Sequence, residues 1–167
     1  MQLVVLSDTH IPHRASGLPD EVWRYIEQSD GVIHAGDFSS YDFYLELCAR
    51  AGGKDRVYAV WGNMDDEDLF KELPEKLIVE KEGVKIGVYH GIGAPIGIEN
   101  RVIKKFHIDL PDIIIFGHSH IPLKKYINNT LMFNPGSPTD RIFARRNTFG
   151  LLTLDNGTFS IEHIELR

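Results

Sequence analysis

The segment Leu3-Val4-Val5-Leu6-Ser7-Asp8-Thr9-His10 runs four apolar residues into an abrupt polar stop. An apolar run this short, without the gaps of an amphipathic helix, fits a strand covered on both faces. Such a strand lies inside a layered sheet, and its polar stop marks the carboxyl end. The figure recurs downstream. Gly31-Val32-Ile33-His34 halts at Gly36-Asp37, residues 57–60 halt at Gly62-Asn63, and residues 113–116 halt at Gly117-His118.

Helical patterns fill the intervals. Pro19-Asp20 opens one, with Val22, Trp23, Tyr25 and Ile26 apolar, and Tyr41–Arg50 carries Phe43, Tyr44, Leu47 and Cys48 at helical spacing before Gly52-Gly53. Strands are also predicted over residues 76–80 and Val84–Tyr89, with a hairpin turn at Lys81-Glu82-Gly83, and a helix over residues 98–106. The last third reads as strands Leu123–Ile127, 131–133, 150–154 and 158–164, with Asn128-Asn129 and Asn156-Gly157 as hairpin turns. Strand–helix alternation followed by hairpins predicts an α/β protein in which two sheets pack together with helices outside. One domain over residues 1–167 is expected.

Charge and composition narrow the function. Lys and Arg number 18 against 24 Asp and Glu, a formal charge of −6. Such a chain is a poor general binder of nucleic acid, whose affinity comes largely from Lys and Arg on phosphates. Bound cations would reverse that sign locally, so an anionic substrate stays open. The lone cysteine, Cys48, forms no intramolecular disulfide and reads as a small buried hydrophobe. Met1-Gln2 leads straight into the first strand without a basic region or cleavage site, and no apolar run nears the ~20 residues a membrane helix needs. A cytoplasmic protein without a membrane partner is expected.

The polar residues at the strand ends are Asp8 and His10, Asp37, Asn63, His90, then His118 and His120. From Asp8 to Asp37 is 29 residues, then 26 to Asn63, 27 to His90 and 28 to His118. Each step matches one strand–connection–strand unit of roughly 30 residues. Ligands of open α/β sheets bind outside the carboxyl ends of strands, so five strand ends would bring seven side chains to one crevice. Singly each is ordinary: Asn63 reads as a turn residue or helix cap, and His90 as a core histidine. In order, at near-constant spacing, those separate readings would have to coincide. Two carboxylates, one amide and four imidazoles suit borderline divalent ions more than calcium. Seven ligands exceed one tetrahedral zinc site and fit two ions sharing a carboxylate.

These residues resemble the calcineurin-like metallophosphoesterase superfamily, in its small prokaryotic phosphodiesterase branch. The superfamily's ordered blocks D-x-H, G-D, G-N, H and G-H-x-H stand as Asp8-Thr9-His10, Gly36-Asp37, Gly62-Asn63, His90 and Gly117-His118-Ser119-His120, with Asn134-Pro135-Gly136-Ser137 as the block that follows. The resemblance implies a four-layer αββα fold of two mixed β-sheets flanked by helices. It implies one metal on Asp8, His10, Asp37 and His120, and a second on Asp37, Asn63, His90 and His118, with Asp37 bridging. Manganese is the first expectation, with nickel, iron, cobalt, zinc or magnesium as alternatives. Asp37, Asn63 and His90 are the expected catalytic residues, and Asn63 and His118 the expected substrate contacts. The implied reaction is hydrolysis of a small phosphodiester, a nucleotide being the leading guess, by in-line attack of a hydroxide between the metals.

Two departures qualify the match. Relatives often follow G-N with a histidine thought to protonate the leaving group, where this chain has Met64; Ile92 replaces a histidine often found after His90-Gly91. A missing acid favours diesters with good leaving groups over phosphomonoesters. His13 is a weak substitute, a solvent-exposed loop histidine being the better reading. His34 reads equally as a support for a ligand or as core packing, and Arg141, Arg145 and Arg146 read as a solvated loop. The rival to an enzyme is a scaffold of the same fold, like the retromer subunit, whose ligands are degraded; the seven metal-competent positions favour the enzyme. Tyr41-Asp42-Phe43-Tyr44 belongs to a homo-oligomer interface or to the buried face of its helix, and residues 91–97 suggest a mobile lip over the site.

Overall fold

Alternate residues of the central strands face different layers, because strand side chains point to opposite faces in turn. A computed structural model describes residues 1–167. In β1 (Gln2–Leu6), Leu3 and Val5 join a core between two sheets, whereas Val4 and Leu6 join a core beneath helices. Both sets are fully buried, which is why no polar residue interrupts the run.

The first sheet has the order β10-β9-β1-β2-β3. Its strands β2 (Gly31–His34) and β3 (Val57–Ala59) run parallel to β1, while β9 (Thr148–Asp155) is antiparallel to β1 and β10 (Thr158–Glu165) antiparallel to β9. The second sheet comprises β4 (Lys76–Lys81), β5 (Val84–Tyr89), β6 (Ile113–Ile115), β7 (Leu123–Ile127) and β8 (Thr130–Asn134), ordered β4-β5-β6-β8-β7. Within it β5, β6 and β8 are mutually parallel and the outer strands antiparallel. Both sheets are therefore mixed, as the resemblance implies.

Helices close the outer faces. Val22, Trp23 and Ile26 of α1 (Asp20–Gln28) and Phe43, Tyr44, Leu47 and Cys48 of α2 (Tyr41–Arg50) cover the first sheet. Phe43 and Tyr44 are thus the buried face of their helix. Ile98 and Val102, on a helix interrupted by a 3-10 turn, pack with Tyr89, Ile114 and Phe116 on the second sheet. The predicted helix over residues 98–106 is present in two pieces, a helix at Ile98–Val102 and the 3-10 turn at Ile103–Phe106. A short helix, α3 (Glu67–Glu72), lay outside the sequence reading because it is six residues long and mostly charged. Its Asp66 cap accepts from Leu69 N at 3.0 Å and marks its start. Burial raises the Cys48 thiol above its ordinary range, consistent with an inert packing residue. No helix is long and apolar enough to cross a membrane.

Ile115 faces the core between the sheets and Ile114 the core beneath the helix. Ile114→Ala and Ile115→Ala should each destabilise the protein by roughly 2–5 kcal/mol in denaturant titrations. A cost near zero for either would mean that its face is not covered as described.

Candidate metal centre

Every candidate ligand follows the carboxyl end of a strand. Asp8 and His10 follow β1, Asp37 follows β2, Asn63 follows β3, His90 follows β5, and His118 and His120 follow β6. These strands are parallel within their sheets, so their ends meet at one edge of the sandwich. The loops there are unusual. Asp8, His10, Asp37, His118 and His120 all hold left-handed backbone, with φ of 55°, 47°, 59°, 68° and 58°. Non-glycine residues avoid that region at a cost of order 1–3 kcal/mol each, and such strain concentrates at functional sites. The paired glycines serve the same packing. A side-chain carbon at Gly62 would collide with Asp37, and one at Gly117 with Ser7 and Asp8. The glycine preceding Asn63 and His118 is therefore a requirement of close approach.

Five of the seven residues aim ligand atoms at a common floor. Asp8, His10 and His120 form one group, and Asp8, Asp37 and His90 a second, each with its ligand atoms within 4.8 Å of one another. His120 Nε2 lies 3.4 Å from Asp8 Oδ1 and 3.4 Å from His10 Nε2, while His10 Nε2 lies 3.5 Å from Asp37 Oδ2. Asp8 thus joins both groups, and Asp37 lies between His10 and His90. All five are buried.

The outer nitrogens of the imidazoles are held by acceptors. His90 Nδ1 donates to Ala35 O at 2.7 Å, and His120 Nδ1 donates to the Asp140 carboxylate. With Nδ1 so held, the neutral form of each ring turns its Nε2 lone pair to the floor, the arrangement a metal ligand needs. His10 Nδ1 pairs with Ser39 Oγ at 3.2 Å. His90 Nε2 is fully buried and has no hydrogen-bond partner; it lies 3.3 Å from Asp37 Oδ2 without hydrogen-bond alignment. A buried nitrogen of this kind, facing two carboxylates and two further imidazoles, fits a divalent cation.

Electrostatics follow from this packing. Burial opposes charge on His90, yet Asp37 and Asp8 outweigh it and lift the imidazole to about 9. Burial likewise pushes the Asp37 carboxyl up, but His90, the Met64 N–H and His10 bring it down to about 2. Burial dominates at His10, which falls to about 4 despite the same carboxylates. Without metal, a protonated His90 therefore serves as the counter-cation.

Asn63 and His118 stand at the mouth. Asn63 Oδ1 lies 2.9 Å from His118 Nδ1, and His118 Nε2 donates to Gly93 O at 2.8 Å. Both line an open cleft of about 350 Å³ together with His10, Asp37 and His120. Met64 lines it too, half exposed, whereas His13 does not. Residues 92–96 are exposed but tied down: Arg101 donates to the carbonyls of Ile92, Ala94 and Ile96. His34 is a support as well as a core residue. Its Nδ1 accepts from Gly36 N at 3.2 Å, and its Nε2 donates to Thr9 Oγ1 at 3.1 Å, joining the first two loops.

Several residues escaped the sequence reading. Asp140 orients His120, and Asp65 accepts from the backbone N–H groups of Asp37, Ser39 and Gly62. Thr139 donates to Thr9 O at 2.7 Å, beside Ser137 of the Asn134–Ser137 block, which donates to Asp8 O at 2.7 Å. Asp65, two positions beyond Asn63, was within reach of the motif; Asp140 had no local mark.

Fold and cluster together define a metallohydrolase class. The model of the calcineurin-like phosphoesterase superfamily domain matches residues 1–157, and the chain belongs to that superfamily, whose members use divalent metals. A probable metallophosphoesterase of Methanothermobacter thermautotrophicus is 36% identical over 140 residues, covering 83% of this chain and 78% of the relative. A Thermotoga maritima protein solved by solution NMR is 34% identical with a TM-score of 0.77, covering 99% of each chain. Vacuolar protein sorting 29 from Cryptosporidium parvum shares the fold at 22% identity and TM-score 0.77, over 99% of this chain and 97% of that one.

The raised His90 pKa stabilises the metal-free fold below the unfolded value near 6.5, and that stability is lost as pH rises through about 9. Chemical denaturation of chelator-treated protein should show a loss on the order of 3 kcal/mol across that window. Unchanged stability between pH 6.5 and 9 would exclude the imidazolium–carboxylate pair.

Proposed function

We propose that this protein is a phosphodiesterase working with two divalent ions. The observation that carries the reading is the buried floor of Asp8, His10, Asp37, His90 and His120, with His90 Nε2 unpartnered, at the base of an open cleft. Asp8, His10, Asp37 and His120 would hold one ion, and Asp37, Asn63, His90 and His118 the other, with manganese the first metal to test. The position of Asp37 between His10 and His90, 3.5 Å and 3.3 Å away, supports a shared role for it. Holding the second ion requires His118 to leave Asn63 or Gly93 O. Bound ions in such a pair supply Lewis acidity and an acidified water at neutral pH.

The chain's own groups define the rest. Asn63 and His118 stand where an ester enters, and their side chains are free to meet its oxygens once rearranged. Asp140, Ser39 and Ala35 O fix the imidazoles before substrate arrives, so little reorganisation accompanies reaction. The thioether of Met64 cannot protonate a leaving group. That supports small diesters with good leaving groups, nucleotides among them, over monoesters. The rival scaffold reading is compatible with the fold, which vacuolar protein sorting 29 shares, but it has no use for a buried and strained ligand set, and that set favours the enzyme. A cytoplasmic setting suits the reduced lone Cys48.

Purified protein should carry about two metals per chain and hydrolyse bis(p-nitrophenyl) phosphate with manganese, and Asp37→Ala should lose at least a hundredfold in rate. Metal content without turnover on any diester would refute the enzyme. Met64→His should raise the ratio of monoester to diester activity; an unaltered ratio would show that Met64 does not set the preference.

A further inference from the structure

The cleft contains one cation of its own. Arg14 lies four residues beyond His10 in the loop after β1, where its backbone N–H donates to His10 O at 2.7 Å, and its side chain lines the metal cleft. That side chain is 26% exposed. Its Nη1 is one of only two buried side-chain nitrogen or oxygen atoms without a hydrogen-bond partner, the other being His90 Nε2. The nearest carboxylate, Asp140 Oδ2, is 3.7 Å away, too far for a hydrogen bond. Asp140 already accepts three hydrogen bonds: Ile142 N and Phe143 N donate to its two oxygens, and His120 Nδ1 donates to Oδ2. The Phe143 ring lies 5.2 Å from the guanidinium carbon and holds the group by cation–π attraction. Arg14 is thus fixed in place, charged, and short of one acceptor at the wall of the site. Nη1 faces the buried Asp140, so an incoming oxygen meets the partly exposed remainder of the side chain that lines the cleft.

We infer that Arg14 binds a non-bridging oxygen of the phosphoryl group, so that it positions the ester over the metal floor. This rests on the phosphoester reading of the site. Guanidinium matches phosphoryl oxygens in geometry and charge, and at this position it supplements cations held by acidic and neutral ligands. The arginines of the 141–146 loop do not compete for the role: Arg141, Arg145 and Arg146 are exposed and off the cleft, and Arg146 pairs with Glu165 at 3.1 Å. Arg14 works with the metals without protonating a leaving group, since guanidinium is not a proton donor at working pH.

The test is calorimetric titration of inorganic phosphate into manganese-loaded full-length protein, with metal content measured on every variant. Arg14→Met should weaken phosphate binding about tenfold or more with metal content unaltered, and Arg14→Lys should recover part of the loss. Phe143→Ala, which frees the guanidinium, should weaken phosphate binding by a smaller factor and raise KM for bis(p-nitrophenyl) phosphate more than it lowers kcat. Phosphate affinity within twofold of wild type in metal-replete Arg14→Met would overturn the inference. So would loss of metal in Arg14→Met with normal phosphate binding in Phe143→Ala, which would assign Arg14 to supporting His120 through Asp140. Phosphate binding needs no turnover. A wild type that hydrolyses no diester, while Arg14→Met still loses phosphate affinity, would sink the diesterase reading and leave Arg14 in place.

Discussion

Two carboxylates, Asp8 and Asp37, are buried within one small group of ligand atoms, and the surrounding structure answers to that fact. Like charges in a poorly solvated floor repel strongly unless cations or donors compensate. The compensation comes in layers. Imidazoles of His10, His90 and His120 face the oxygens, backbone N–H groups of Met64 and His118 donate to them, and Arg14 adds charge at the wall. Beyond these, Asp65 and Asp140 hold the loops and rings that hold the carboxylates. A cluster this costly persists because a cation makes it favourable, and the superfamily to which the chain belongs uses such cations.

The fold is arranged to allow this concentration. Five parallel strands deliver their carboxyl ends to one edge, and short loops turn there through left-handed backbone that most residues avoid. The strain is borne by strands fixed on both faces: Leu3 and Val5 on one side, Val4 and Leu6 on the other. A surface sheet with one wet face would have little to hold such turns in place.

Much of this was legible in the sequence. The unbroken apolar runs announced buried strands, and the polar stops announced the site, because both signals are local. The helix Tyr41–Arg50 and the strand Val84–Tyr89 fell where the pattern put them. What escaped was non-local or weakly patterned. α3 is short and mostly charged, so its periodicity was faint. Asp140 reaches His120 across 20 residues through an irregular loop, and Arg14 matters through an unmatched donor that only three-dimensional packing defines. The arginines most conspicuous in the sequence, at 141, 145 and 146, cluster in the chain but sit outside the cleft.

The ligands are divided between the two sheets, and their supports are drawn from opposite ends of the chain. His118 N meets Asp8 across 110 residues, and Ser137 Oγ meets Asp8 O across 129. Neither sheet alone owns a complete ion-binding group with His120 or His90 in it. Occupancy is therefore a property of the docked sandwich, and an ion arriving there bolts one sheet to the other. Partly folded chains, in which the sheets have formed without meeting, would be blind to metal. Metal scarcity would then be felt first as loosening between the layers, with the helices and individual strands intact.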